Sequence, residues 1–196
     1  MDLKEAVSVW QASQHDSSRL RGAARVLTGI PHYFDADYIA GYEQEARVSR
    51  VTLDMAHTLM TGISASSPQT ASDWHRQVGL PSPGFAGRGI QRKDKNREDG
   101  QIAAALRKGV IAMPLWGFSL DRAVADSYGQ GPNGPGFMFE LDGPFHGIAA
   151  WIESGCNEHD REIISSGIYK VMWLEARDDI WHVGLREEWH LRPTAP

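Results

Sequence analysis

The sequence holds a single cysteine, Cys156. That excludes a disulfide framework and a zinc site built on clustered cysteines. A reducing compartment is therefore expected, the cytoplasm of the producing cell or of a target cell. No run of 18 apolar residues occurs, so no transmembrane helix and no membrane partner are expected. The opening stretch MDLKEAVSVWQASQHDSS lacks the apolar core of a signal peptide. Any export is expected to use a signal-peptide-independent route. No HxxxH or HExxH spacing links the eight histidines, and no metal is expected. Basic charge is also in short supply, with 20 Lys and Arg against 25 Asp and Glu, a net charge of −5. That argues against a broad nucleic-acid-binding surface. One local exception is Arg92–Arg97, with four basic residues and one acidic. What remains is an ordinary globular composition, 41% hydrophobic and 23% charged over 196 residues. A chain of that length buries a core without staples.

The pattern changes near residue 80. Before it, helical spacing dominates; after it, glycine and proline become frequent and apolar runs shorten. Two parts are expected, a helical lobe over 1–80 and a core over 81–196, within one structural domain. Asp2 reads as the cap of a first helix reaching Gln14, and Asp16 as the cap of a second that ends at Gly29 and Pro31. A long helix is expected from Asp35 or Asp37, with Tyr38, Tyr42, Ala46, Leu53, Ala56 and Met60 on one face and Ser49 the polar exception. Gly62 and the SASSP run close it, and a short helix follows over Ala71–Val78. Strands are expected at Phe85–Ile90, Val110–Leu115, Phe137–Leu141, Gly147–Ile152, Glu162–Ile164, Ile168–Glu175 and Trp181–Glu187. Helices are expected over Gln101–Lys108 and, capped by Ser119, over Leu120–Tyr128. Helices first and strands later is an α+β pattern.

Three places carry residue types suited to chemistry. Arg88 and Gly89 end a short strand. The guanidinium fork suits phosphate, and the glycine lets backbone groups approach a ligand; a surface Arg beside a turn glycine is the plainer reading. Ser119 lies where a strand passes into a helix, which gives either a simple cap or a hydroxyl at the mouth of a cleft. Asp160 and Glu162 stand two apart, on one face if extended. Such carboxylates repel, which raises at least one pKa, and they suit a reaction with a developing cation and a mobile proton. An exposed, charged strand edge is the plainer reading.

Taken in order, Arg88-Gly89, then GVIA and GFSLDRAVADSY, then DREIISSGIYKV resemble the mono-ADP-ribosyltransferase family, in its Arg–Ser–Glu branch, which includes many bacterial toxins. The resemblance covers about residues 85–187. It implies an N-terminal helical lobe followed by a core of two packed, mainly antiparallel sheets around an NAD cleft. It implies that Arg88 clamps the pyrophosphate of NAD, the co-substrate, and that Gly89 backbone groups hold the nicotinamide carboxamide. Gly117, Phe118 and Ser119 then stand at the Ser-Thr-Ser stretch that shapes the nicotinamide pocket, and Tyr128 or Phe137 stacks on the ring. Glu162 is the implied catalytic carboxylate and Asp160 the group that handles the acceptor's proton. Asn157, Glu158 and His159 are implied to touch the target, and the loop 129–136 to close over NAD.

Two positions depart from the family pattern. Gly117 replaces the first Ser, so a hydroxyl expected to orient the catalytic Glu is missing. Asp160 stands where Glu or Gln is usual, which bears on the acceptor. A protein side chain is favoured as acceptor over DNA or RNA because the chain is acidic. An immunity protein or antitoxin is an implied partner. An NAD glycohydrolase and a non-catalytic binding module of the same fold remain open alternatives.

Overall fold

The computed structural model describes residues 1–30, 49–90, 106, 109–130, 136–156, 158–177 and 180–194. The first half of the expected long helix, the expected helix over Gln101–Lys108 apart from Leu106, the basic run 92–97, Asn157 and most of the 129–136 loop lie outside them.

Helix α1 spans Leu3–Ala12, with Asp2 accepting from the Glu5 backbone N–H at 2.8 Å as expected of an N-cap. Helix α2 spans Gln14–Thr28 and ends at Gly29, whose φ of +65° is the left-handed conformation of a helix stop. Its cap is Ser13, not Asp16. The Ser13 hydroxyl takes the Asp16 N–H at 3.0 Å, which places Asp16 in the first turn. Helix α3 spans Arg50–Ala65. Ser49, expected inside a continuous helix, is extended and caps α3, and Gly62 lies within the helix against Leu3. Helix α4, Ala71–Gln77, opens on a reciprocal Thr70–Asp73 capping box.

The strands are β1 (Gly87–Ile90), β2 (Val110–Ser119), β3 (Phe137–Leu141), β4 (Ile148–Ala149), β5 (Glu162–Arg177) and β6 (Ile180–His190). Their order is β2-β1-β3-β6-β5-β4, and pairing of β2 with β5 closes five of them into a barrel-like ring. Only the β3–β6 pair is parallel among these ladders. The pairing is thus mainly antiparallel, as expected, but the strands form one closed ladder where two sheets were expected. The two expected strands between 162 and 175 are one, because the intervening serines are satisfied inside the sheet. Ser165 bonds the His146 carbonyl and the Tyr169 hydroxyl, and Ser166 bonds the Pro114 carbonyl. The expected strand Gly147–Ile152 shortens to β4 and turns into helix α6, Ala150–Ser154, which buries Ala150, Trp151 and Ser154.

Two apolar clusters flank the wall made by β2 and β5. Inside the ring lie Ile111, Met113, Phe118, Ile163 and Tyr169 among others, with Trp74 of α4. On the other side, Leu115, Ile148 and Ile164 meet Val7 and Trp10 of α1, Leu20 and Ala24 of α2, and Leu59 and Ile63 of α3. The register slips between Met113 and Trp116, where β2 carries one residue more than β5. Pro114 sits in this bulge, where its missing N–H removes no ladder bond. The extra residue sends Leu115 to the helical side while Met113 and Phe118 both stay inside.

Candidate functional site

At the mouth of this wall, Gly87, Arg88, Ser119, Val124, Ala125, Tyr128, Asp160 and Glu162 line an open cleft. All three places singled out in the sequence therefore meet here. Arg88 comes from β1, whose Gly87 pairs with Ser119 and so ties β1 to the end of β2. Tyr128 comes from helix α5, Arg122–Gly129. Its ring centroid lies 4.3 Å from the Arg88 guanidinium carbon, and that of Trp116 lies 5.8 Å from it. Aromatic faces hold the cation in place.

Ser119 has a different task from the expected helix cap. It is the last residue of β2, and Asp121 caps α5 by accepting from Ala123 N–H at 2.9 Å. The Ser119 hydroxyl donates to the Asp160 carbonyl at 2.8 Å and accepts from the Asp121 N–H at 3.0 Å. It thus ties the segment carrying the carboxylates to the β2–α5 corner. Asp160 and Glu162 do not share an extended strand. Glu158–Asp160 is a turn of 3-10 helix, and Arg161 has a φ of +42°, rare for a residue with a side chain. The Arg161 carbonyl accepts the Leu120 N–H at 3.1 Å, which helps hold this strained corner. Both carboxylates reach the cleft through the turn.

Glu162 opens β5 opposite Ser119. Two strand positions further, Ile164 packs among the helices, so Glu162 shares the helical side of the wall. One carboxylate oxygen, Oε2, accepts the indole N–H of Trp10 at 3.0 Å. The other, Oε1, lies over Gly117, where an added Cβ would come within 1.8 Å of it. Burial raises the Glu162 pKa, and Arg88, the Trp10 N–H and Arg21 oppose that rise while Asp160 adds to it. Burial dominates, and the opposing groups limit the rise.

The other expected site residues fall in different places. Phe118 is wholly buried inside the ring, 6.2 Å from the Tyr169 ring, and Phe137 is buried in β3. Gly89 lies under α5, where a Cβ would strike the Ala125 carbonyl and the Gly129 backbone. Gly87, not Gly89, is the cleft-lining glycine of β1. His159 is exposed within the Glu158–Asp160 turn.

Sequence reasoning missed two residues here. Trp10 reads as ordinary core in the sequence, and Arg21 as one more charge on a helix. In the fold the Arg21 guanidinium lies 5.9 Å from the Trp10 ring and 5.2 Å from the Trp116 ring. With Arg88 and Tyr128 they form a run of alternating rings and cations from α1 to the cleft. No local spacing encodes it, because Trp10 and Glu162 are 152 residues apart.

No family model matches the sequence, and no curated protein matches it. Solved structures do. The C3 exoenzyme of Clostridium limosum shares 13% identity at a TM-score of 0.51, over 95% of this chain and 85% of its own. The ADP-ribosyltransferase Vis toxin of Vibrio splendidus shares 18% at a TM-score of 0.45, over 95% and 73%. The ADP-ribosyltransferase HopU1 of Pseudomonas syringae pv. tomato shares 14% at 0.45, over 79% of this chain, which spans 56% of HopU1. At these identities, what the C3 exoenzyme establishes is the fold.

Proposed function

We propose that this chain, which has the ADP-ribosyltransferase fold, is an NAD-dependent mono-ADP-ribosyltransferase of the toxin or effector kind. The observation that carries the reading is one cleft lined by Arg88, Tyr128, Asp160 and Glu162. That set fits a dinucleotide. A guanidinium suits a pyrophosphate, an aromatic ring suits a planar base, and a carboxylate suits a ribose hydroxyl.

NAD supplies a glycosidic bond whose cleavage releases nicotinamide, with the bonding electron pair, and leaves positive charge at the ribose C1′. Arg88 binds the pyrophosphate and Tyr128 stacks on the nicotinamide ring. Glu162 accepts a ribose hydroxyl and, as an anion in a partly dry site, stabilises the positive charge at C1′. Asp160 faces the incoming nucleophile and takes its proton as the new bond to C1′ forms. Ser119 acts through the backbone by holding the turn that bears Asp160 and leads into Glu162.

A protein side chain is the acceptor we favour, because the chain carries a net charge of −5. Asn157, Glu158 and His159, next to Asp160 in sequence, are the proposed target contacts. An immunity protein or antitoxin is a proposed partner, and a cytoplasm the proposed place of action. The test is incubation with labelled NAD and a cell lysate, wild type beside Glu162→Ala. Label in protein, lost in the variant, is the expected result. Label in nucleic acid keeps the enzyme and overturns the acceptor. Nicotinamide release without label transfer makes the chain a glycohydrolase. No NAD turnover at all overturns the catalytic reading.

A further inference from the structure

We propose that Trp10 is a positioning residue for the reaction: its indole N–H, carried by the first helix, fixes the Glu162 carboxylate in the orientation that faces the cleft. This inference rests on the reaction proposed above. The geometry is specific. Trp10 is 3% exposed and is not among the residues that line the cleft, so its place is behind Glu162. Its N–H meets Glu162 Oε2 at 3.0 Å. A buried indole N–H needs an acceptor, and a carboxylate is a strong one. The other oxygen, Oε1, occupies space that any side chain at 117 would claim. The carboxylate is thus held from one side by a donor and admitted on the other by a glycine. Ser119 does not share the task, since its hydroxyl is engaged by the Asp160 carbonyl and the Asp121 N–H.

Trp10 is itself rigidly placed. Asp2 caps its helix, and Ala6, Val7 and Trp10 are buried together among α2 and α3. Arg21 adds a cation 5.9 Å from its ring. The helical lobe therefore supplies part of the active-site frame, not only a packing surface.

The variant is Trp10→Phe, which keeps an aromatic ring and removes the donor. The expected result is a kcat lower by about 10- to 100-fold, with the KM for NAD within about twofold of wild type. The acid limb of the kcat profile moves to higher pH, because the lost N–H favoured the ionised carboxylate. A purely structural role would lower the melting temperature and leave that limb in place. An unchanged kcat and an unchanged acid limb overturn the proposal.

A second measurement needs neither turnover nor a folded variant. In the 1H–15N spectrum of the wild-type protein, the Trp10 indole resonance is expected to titrate together with the Glu162 carboxyl resonance. An indole signal that ignores that titration overturns the proposal. If wild type turns over no NAD but the two resonances titrate together, the reaction reading fails and the Trp10–Glu162 coupling stands.

Discussion

Gly117→Ala places a methyl group against the Glu162 carboxylate, whose atoms are its three nearest neighbours. Built on the existing backbone, the new Cβ lies 1.8 Å from Glu162 Oε1, 2.8 Å from Cδ and 3.2 Å from Cγ. To restore ordinary contact the carboxylate must swing by more than about 1 Å. That motion pulls Oε2 from the Trp10 N–H and turns the charge away from the cleft. The atoms displaced belong to the far end of a flexible, half-buried side chain, and Gly117 does not need a positive φ. Stability should therefore change by no more than about 1 kcal/mol, or about 2–4 °C in Tm. Misplacing a charged catalytic group by such a distance costs on the order of 100-fold in rate. The assay is nicotinamide release at saturating NAD, paired with a thermal melt of the same sample. A loss near 100-fold in kcat with a nearly unchanged Tm is expected. Wild-type kcat in a folded Gly117→Ala protein would refute the reasoning, because the clash would then have no bearing on catalysis.

Three further perturbations probe the same site. Burial raises the Glu162 pKa, so kcat should rise with pH through a midpoint above the roughly 4.3 of an ordinary glutamate, and a limb at or below that value would contradict the site's dryness. In that same window the native state holds more protons than the unfolded chain, so stability falls as pH rises; Glu162→Gln should flatten this slope in melts taken from pH 4 to 8 while abolishing turnover. Arg88→Lys keeps the charge but loses the planar fork and its stacking at 4.3 Å on Tyr128. The KM for NAD should rise by about tenfold or more, and unchanged NAD affinity by calorimetry would remove Arg88 from the phosphate role.

Much of the site was legible because its parts are local. A short strand ending in Arg88, a corner at Ser119 and a carboxylate pair each leave a mark within a few residues, and their order along the chain joined them. The Asp2 cap held, and two other cap assignments shifted. Ser13 and Asp16, and likewise Ser119 and Asp121, are all competent caps; Ser13 takes the Asp16 N–H locally, whereas Ser119 is drawn away by the Asp160 carbonyl. The strand break expected at Ser165–Gly167 vanished because both hydroxyls find partners inside the fold. The bulge at Pro114 was not legible, yet it decides which face of β2 holds Leu115 and which holds Phe118. Least legible was Trp10. The sequence shows a glycine at 117, but not that an indole from the first helix bonds Glu162.

The central claim is that the Glu162 cleft breaks the nicotinamide bond of NAD, and the most direct measurement is nicotinamide release by the purified protein, wild type beside Glu162→Gln at matched folding. Release by wild type that falls by several orders of magnitude in the variant is the result the account predicts. Equal release by both proteins, or none by wild type even with lysate present, would contradict it.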